Sequence, residues 1–278
     1  MLLSVLSRPA PILALLLGFS VATARAETLV QVSGTGSALP VVEALAKAYE
    51  RKAPGTRVHF LLPPMGSSAA MRAVMAGAID LAFTGTPLEP AEREKGGVDF
   101  ALGRTPFVLA AREAGRLDNV DASRLARIYA GEITTWSDGS PIRLILRPPR
   151  ESDTRTLRGL SPAMDKAMDL ALARKGLPIA ANDLENLGLL ENTPGAFGAT
   201  NLALLIGTGS ALRPLPLDGV APTLANLEKG LYTLVKPLYA VRGPAPSAAA
   251  RAFLEFASSE EGRAILARQG YASPRSGR

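Results

Sequence analysis

The chain alternates between two hydrophobic rhythms. Thr28 to Ser33 reads as a strand, and Leu39, Val42, Leu45 and Tyr49 then keep one apolar face on a helix that ends near Pro54-Gly55. Arg57 to Leu62 returns to period two, with Val58, Phe60 and Leu62 on one face and His59 on the other. A helix after Gly66 carries Met71, Val74 and Met75, and Asp80 to Thr84 is a third short strand. The same style continues: Phe107 to Ala111 is apolar, Asp121 to Tyr129 helical, Ile142 to Leu146 a strand, and Asp153 to Leu160 helical. Ser161-Pro162 opens a helix with Met164, Met168, Ala171 and Leu172 along it, and Ala196 to Ile206 mixes strand and loop. Ala248 to Phe256 and Glu260 to Gln269 are two final helices, the second with a capping box expected from Ser258 and Glu261. Repeated strand–helix units of this length predict an α/β fold with a parallel sheet covered on both faces. Ligands of such sheets sit at the carboxyl ends of the strands, against helix N-termini.

The first 26 residues stand apart from this pattern. Arg8 precedes an apolar run from Ile12 to Val21, and small residues end in Ala24-Arg25-Ala26. That is the layout of a cleavable secretory signal, with cleavage expected before Glu27. The apolar run is shorter than the roughly 20 residues of a spanning helix, and Gly18 breaks it. The chain has no cysteine, so it can form no disulfide and carry no lipidated N-terminal cysteine. The expectation is a freely diffusing periplasmic protein, not lipid-anchored.

Charge and chemistry narrow the function. Losing the two arginines of the leader lowers the formal net charge from +6 to +4, and the remaining charges are mixed along the chain. A nucleic-acid partner would call for a concentrated basic face. Aromatic residues make up only 5%, which argues against a sugar-binding platform. One histidine and no cysteine make a zinc site improbable, and no cofactor is implied. A serine–histidine–acid triad would need His59, and no G-x-S-x-G elbow presents a serine, so an exported hydrolase is a remote alternative. Gly34-x-Gly36 lacks the third glycine of a dinucleotide fingerprint, since Leu39 stands there.

Three strand-to-helix turns share one composition: Gly34-Thr35-Gly36-Ser37, Gly66-Ser67-Ser68 and Ser152-Asp153-Thr154. Each offers backbone N–H groups at a helix start, plus short hydroxyl side chains. One such turn is ordinary capping; three at corresponding places predict a shared anion site built from helix dipoles of about half a charge each. Arg147 and Arg150 precede the third turn, and either one is placed to add a charged fork to an anion.

At this point the sequence resembles the phosphate-binding proteins of bacterial phosphate transporters, within the type II periplasmic binding proteins. The run Ile128-Tyr129-Ala130-Gly131-Glu132-Ile133-Thr134-Thr135-Trp136-Ser137-Asp138 is the most specific stretch. Pro194-Gly195-Ala196-Phe197-Gly198 is similar to a second family segment. So are Gly219 to Thr223, Gly230-Leu231-Tyr232, Pro237-Leu238-Tyr239 and Ser259-Glu260-Glu261-Gly262. The resemblance implies two doubly wound lobes joined by a two-crossover hinge. Lobe one would be residues 27–105 and 236–278, and lobe two 106–235. It implies a monomeric, non-enzymatic receptor that delivers phosphate or a related small oxyanion to an inner-membrane ABC permease. A divergent ligand, such as a phosphonate or organic anion serving a sensor or another transporter, is the alternative.

The family's ligand residues match in part. Its first-loop amide and threonine fall on Ala38 and Leu39, beside Gly36 and Ser37. Its second-loop serine falls on Ser67, next to Ser68, and its third-loop Ser-Gly-Thr on Ser152, Asp153 and Thr154. Its arginine falls on Pro148, so Arg147 or Arg150 must substitute, and the aspartate that accepts the ligand's proton falls on Gly85. Two expectations follow for Asp153. Either it takes over as the acceptor from across the cleft, or it points outward and complements a helix N-terminus.

Overall fold

The protein is described from a computed structural model, which covers residues 27–112 and 119–274. The expected leader lies outside those residues. The first half contains β1 (Thr28–Gly34), a 3-10 turn (Gly36–Ala38), α1 (Leu39–Lys52), β2 (Thr56–Phe60), α2 (Ser67–Met75), β3 (Leu81–Thr84), α3 (Pro90–Glu94) and β4 (Val98–Ala111). The second half runs through α4 (Ala122–Ala130), β5 (Arg143–Leu144), α5 (Ser152–Arg158), α6 (Pro162–Ala173), α7 (Asp183–Asn192), β6 (Ala196–Asn201), α8 (Leu202–Thr208), β7 (Arg213–Leu215) and α9 (Leu224–Glu228). The chain then returns through β8 (Val235–Arg242), α10 (Ala248–Ser258) and α11 (Glu260–Arg268).

The sheet order is β2-β1-β3-β8-β4-β6-β5, with β7 also on β4. Only β2, β1 and β3 form the expected parallel group, joined by the parallel pair β5–β6. β8 is antiparallel to β3 and to β4, and β4 is antiparallel to β6 and β7, so the sheet is mixed. The reason is connectivity: β4 and β8 are the two segments that pass between the lobes, and each crosses against its neighbours. Residues 98–106 of β4 pair with β8, while residues 107–111 pair with β6. Thr105 of β4 and Lys236 of β8 are direct Cα partners on these two strands.

Each lobe buries its own cores. In the first, Val30, Val32, Leu81 and Phe83 are fully buried against Leu45 of α1 and Phe253 of α10. Tyr49, Phe253 and Phe256 stack as tilted rings. The opposite face of β3 and β8 packs on Met71 and Val74 of α2. In the second lobe Tyr129, Trp136 and Phe197 form an edge-to-face group. The Ile128–Trp136 motif is therefore a core element. Ile128, Tyr129 and Trp136 are buried, and Gly131 supplies the left-handed C-cap of α4 at φ 84°.

Several local expectations change. The Ile142–Leu146 strand shortens to Arg143–Leu144, and Ala196–Ile206 resolves into a strand followed by a helix capped by Asn201. The cap of the last helix is Ser259, whose hydroxyl accepts from the Gly262 amide at 3.2 Å; Ser258 ends the preceding helix.

Candidate functional site

The carboxyl ends of β1 and β3 meet a set of helix starts. Gly34 fits there because a Cβ at its position would lie 1.8 Å from the Phe83 carbonyl oxygen, an overlap no side chain survives. This close approach brings the turn after β1 against the turn after β3. It also brings in α7, since a Cβ on Gly36 would lie 3.2 Å from the Asp183 Cβ.

Four charged side chains, all at least nine-tenths buried, meet at this junction: Arg147, Asp153, Asp183 and Lys236. Lys236, the second residue of β8, donates from Nζ to Asp153 Oδ1 at 2.7 Å and to Asp183 Oδ1 at 2.9 Å. Asp183 opens α7 and accepts from Thr35 Oγ1 at 2.8 Å through Oδ2. Thr35 in turn lies 3.0 Å from Ser37 Oγ. Arg147 donates from Nη1 to the Ala180 carbonyl at 2.6 Å and lies 3.6 Å from Glu151 Oε2, at the half-exposed edge. It reaches only 4.0 Å from Asp153 Oδ2 and from Asp183 Oδ2. In consequence Arg147 Nε and Asp153 Oδ2 are buried polar atoms with no hydrogen-bond partner.

Burial and pairing compete at Asp183 and Lys236, and pairing wins. Burial alone would raise the Asp183 carboxyl. The charges of Lys236 and Arg147, with the hydrogen bonds from Lys236 and Thr35, instead hold it far below the usual carboxylate range. Burial would lower the Lys236 ammonium, but Asp153 and Asp183 hold it well above the usual lysine range. The buried phenols of Tyr129 and Tyr271 are raised, chiefly by loss of water.

The hydroxyls approach from both lobes. Ser67, the first residue of α2, accepts the Gly85 amide at 3.0 Å. A Cβ on Gly85 would stand 3.8 Å from Ser67 Oγ, 3.7 Å from Ser152 Oγ and 3.8 Å from Lys236 Cε. Gly85 therefore marks the point where the two serines and the lysine come together. Thr154 is buried, but its hydroxyl donates to the Arg147 carbonyl at 3.1 Å, so it holds the arginine's backbone instead of offering a free donor.

The structure thus brings together Gly36, Ser37, Ser67, Gly85, Arg147, Ser152, Asp153 and Thr154, with Ala38 buried in the same turn. It does not bring Leu39, which packs on the first lobe's core, or Ser68 and Arg150, which are exposed. Arg147 is the arginine that enters, and Asp153 points inward to Lys236, not outward to solvent. Asp183 and Lys236 are the members that pattern reading missed, while Thr35 was read only as part of its turn. Lys236 had a signal, as the one charge inside the apolar run from Leu234 to Val241. Asp183 had none, because Asn182-Asp183 reads as an ordinary helix start. His59 is exposed on β2, away from the cluster. No group of three or more metal-ligating side chains occurs among the described residues.

Comparison with known proteins gives one consistent picture. A family model described as a PBP superfamily domain matches residues 21–261. The phosphate-binding protein PstS of Bacillus subtilis is 23% identical over 248 residues, covering 86% of this chain and 79% of that protein. Among solved structures, a putative phosphate ABC transporter substrate-binding protein with bound phosphate from Clostridium perfringens superposes with a TM-score of 0.74. It has 21% identity and covers 89% of this chain and 100% of that one. The ABC-type phosphate transport receptor of Vibrio cholerae gives 0.64 at 20% identity, over 89% of this chain and all of that one. The periplasmic molybdate-binding protein of Azotobacter vinelandii gives 0.62 at 17% identity, over 88% and 100%. At these identities the superpositions establish the two-lobed fold.

Proposed function

The chain belongs to the PBP superfamily, and from that premise we propose that it is an exported receptor that encloses phosphate or a closely related oxyanion between its lobes for an ABC permease. The lobes in this reading are residues 27–105 with 236–278, and 106–235, with the leader removed before Glu27. The receptor works as a monomer without a cofactor and performs no catalysis. No helix among the described residues is long and apolar enough to cross a membrane, which accords with delivery by diffusion.

One observation carries the reading. Ser67 and Ser152, from helix starts in different lobes, converge on Gly85 beside a buried donor, Arg147 Nε, and a buried acceptor, Asp153 Oδ2, that nothing else satisfies. Buried polar groups are nearly always paired, so an unpaired donor and acceptor side by side call for a ligand with both functions. A protonated oxyanion has them: anionic oxygens for Arg147 and the serines, and an O–H for Asp153. Asp153 thus takes the acceptor role from across the cleft, where Gly85 leaves no side chain.

A thermal-shift screen of the purified mature protein tests this, using phosphate, sulfate, molybdate, arsenate, phosphonates and small carboxylates. A cognate anion at a hundredfold excess over its Kd stabilises the fold by about 2.7 kcal/mol. A shift confined to the tetrahedral oxyanions supports the reading. A shift with carboxylates alone, or with none of the panel, overturns it.

A further inference from the structure

Of the three hydroxyl-bearing turns, the first is already filled, and by a carboxylate of the chain itself. Asp183 opens α7, and α7 is fixed to the second lobe through Leu187 and Leu190, which pack in one core with Val108 and Ile145. The two oxygens of Asp183 face different parts of the molecule. Oδ1 accepts from Lys236 Nζ on β8 at 2.9 Å. Oδ2 reaches the first lobe, where Thr35 Oγ1 donates to it at 2.8 Å, with Ser37 Oγ 3.0 Å from that hydroxyl. Gly36, between them, lets the carboxylate in: a Cβ there would stand 3.2 Å from the Asp183 Cβ and 3.4 Å from Oδ2. Thr35, Ser37 and Asp183 are all at least nine-tenths buried, so the contact is sealed from bulk solvent. The neighbouring contact is just as close. Gly207 of α8 lies against the start of α1, where a Cβ would come within 2.6 Å of the Pro40 Cβ. The link from lobe to lobe at this turn is thus made of protein atoms alone. Its central bond, from a hydroxyl to a charged acceptor, belongs to the stronger class of hydrogen bonds.

We propose that Asp183 is a built-in anion that latches the lobes shut at the first turn, so that the protein rests closed and the external anion is held by the second and third turns alone. This goes beyond the receptor reading, which rests on Ser67, Ser152, Arg147 and Asp153 and does not use the first turn. The oxyanion does not drive closure; it enters when the latch opens. Association is slowed by the fraction of time the lobes spend open. Thr35 and Asp183 act on binding through the lobes' equilibrium and touch no ligand atom.

Energy transfer between the lobes of the mature protein tests the latch. The chain has no cysteine of its own, so Lys47→Cys on α1 and Lys166→Cys on α6, both exposed, take a donor–acceptor dye pair. Transfer is high without ligand and unchanged by saturating inorganic phosphate. Thr35→Val removes the donor to Oδ2 and leaves the Lys236–Asp183 pair in place. In that variant transfer falls, phosphate restores it, and stopped-flow association of phosphate speeds up about tenfold, the factor expected from one lost hydrogen bond to a charged group. Thr35→Ser keeps the hydroxyl and behaves as wild type. Wild-type transfer that is low without phosphate and rises on its addition overturns the latch while leaving the receptor reading standing. Wild-type transfer in Thr35→Val also overturns the latch. If phosphate gives no binding heat with any of these chains, the receptor reading falls, and the ligand-free difference between wild type and Thr35→Val still decides the latch. Should Thr35→Val fail to fold, the wild-type comparison with and without phosphate decides alone.

Discussion

The aromatic group of the second lobe and the charged cluster between the lobes are buried to a similar degree, yet they hold for opposite reasons. Trp136, Phe197 and Tyr129 lose water and gain close packing, and no one of their contacts is obligatory. Lys236, Arg147, Asp153 and Asp183 lose water at a cost of several kcal/mol per ion, recovered only while each partner stays in place. The first region tolerates change in proportion to volume. The second is all or nothing. Resemblance was carried by the first, in the Ile128–Trp136 run, and chemistry by the second, so a family match here reports mostly on packing.

The largest expected effect breaks the apolar region. Trp136→Ala lowers the unfolding free energy by about 3–5 kcal/mol in a urea melt. The surviving folded fraction binds phosphate as wild type does, because no ligand contact is lost.

Lys236→Met comes next, at about 3 kcal/mol, since it strands two buried carboxylates. Adding Asp153→Asn and Asp183→Asn to it restores much of that loss, whereas the same pair added to Trp136→Ala restores nothing. A double-mutant cycle by thermal denaturation separates the two regions in this way. Equal non-additivity in both backgrounds would erase the distinction.

Ser67→Ala and Ser152→Ala sharpen it at the ligand. Each removes a hydroxyl that converges on Gly85, where the proposed anion would sit, and weakens binding by about 1.5–3 kcal/mol, measured calorimetrically, with small changes in melting temperature. Thr154→Val acts differently: it frees the Arg147 carbonyl, so stability falls together with affinity.

The smallest expected effect is a null in pH. Asp183 is held below its unfolded value, near 3.9, so its stabilisation is complete above that pH and is lost as pH falls through the folded value. Lys236 is held above its unfolded value, near 10.4, so its stabilisation is complete below that pH and is lost only as pH rises through the folded value. Ligand-free melting temperature therefore shows no step from either of these two groups between about pH 5 and about pH 9. A midrange step that disappears in Asp183→Asn would refute it.

What could be read along the chain was what local order determines. The three parallel strands, the helix starts at Ser67 and Ser152, and the Ser161 cap all follow from residues within a turn of one another. β4 did not show as one strand, because Gly103 and Arg104 interrupt its apolar run and a bulge sits between Ala101 and Gly103. β8 escaped too. Its alternation is visible only once β3 and β4 flank it, partners more than a hundred residues away. The Asp153 orientation was undecidable locally, since the same residue at a helix start serves solvent or a buried lysine equally well. Lys236 settles it from 83 residues on.

β4 has a consequence for how this gene can change. Its residues are paired on the first lobe's side at Val98–Pro106 and on the second lobe's side at Phe107–Ala111. Strand side chains alternate with period two, so a single-codon insertion or deletion turns every later side chain to the other face. In most strands that error stays within one sheet. Here it propagates through Thr105, the partner of Lys236, into the Phe107–Ala111 run, and so scrambles two cores and the cleft together. An indel scan of the whole reading frame would show Gly103 to Ala111 as its longest uninterrupted intolerant stretch, while the Ala101–Gly103 bulge just upstream absorbs a single extra residue.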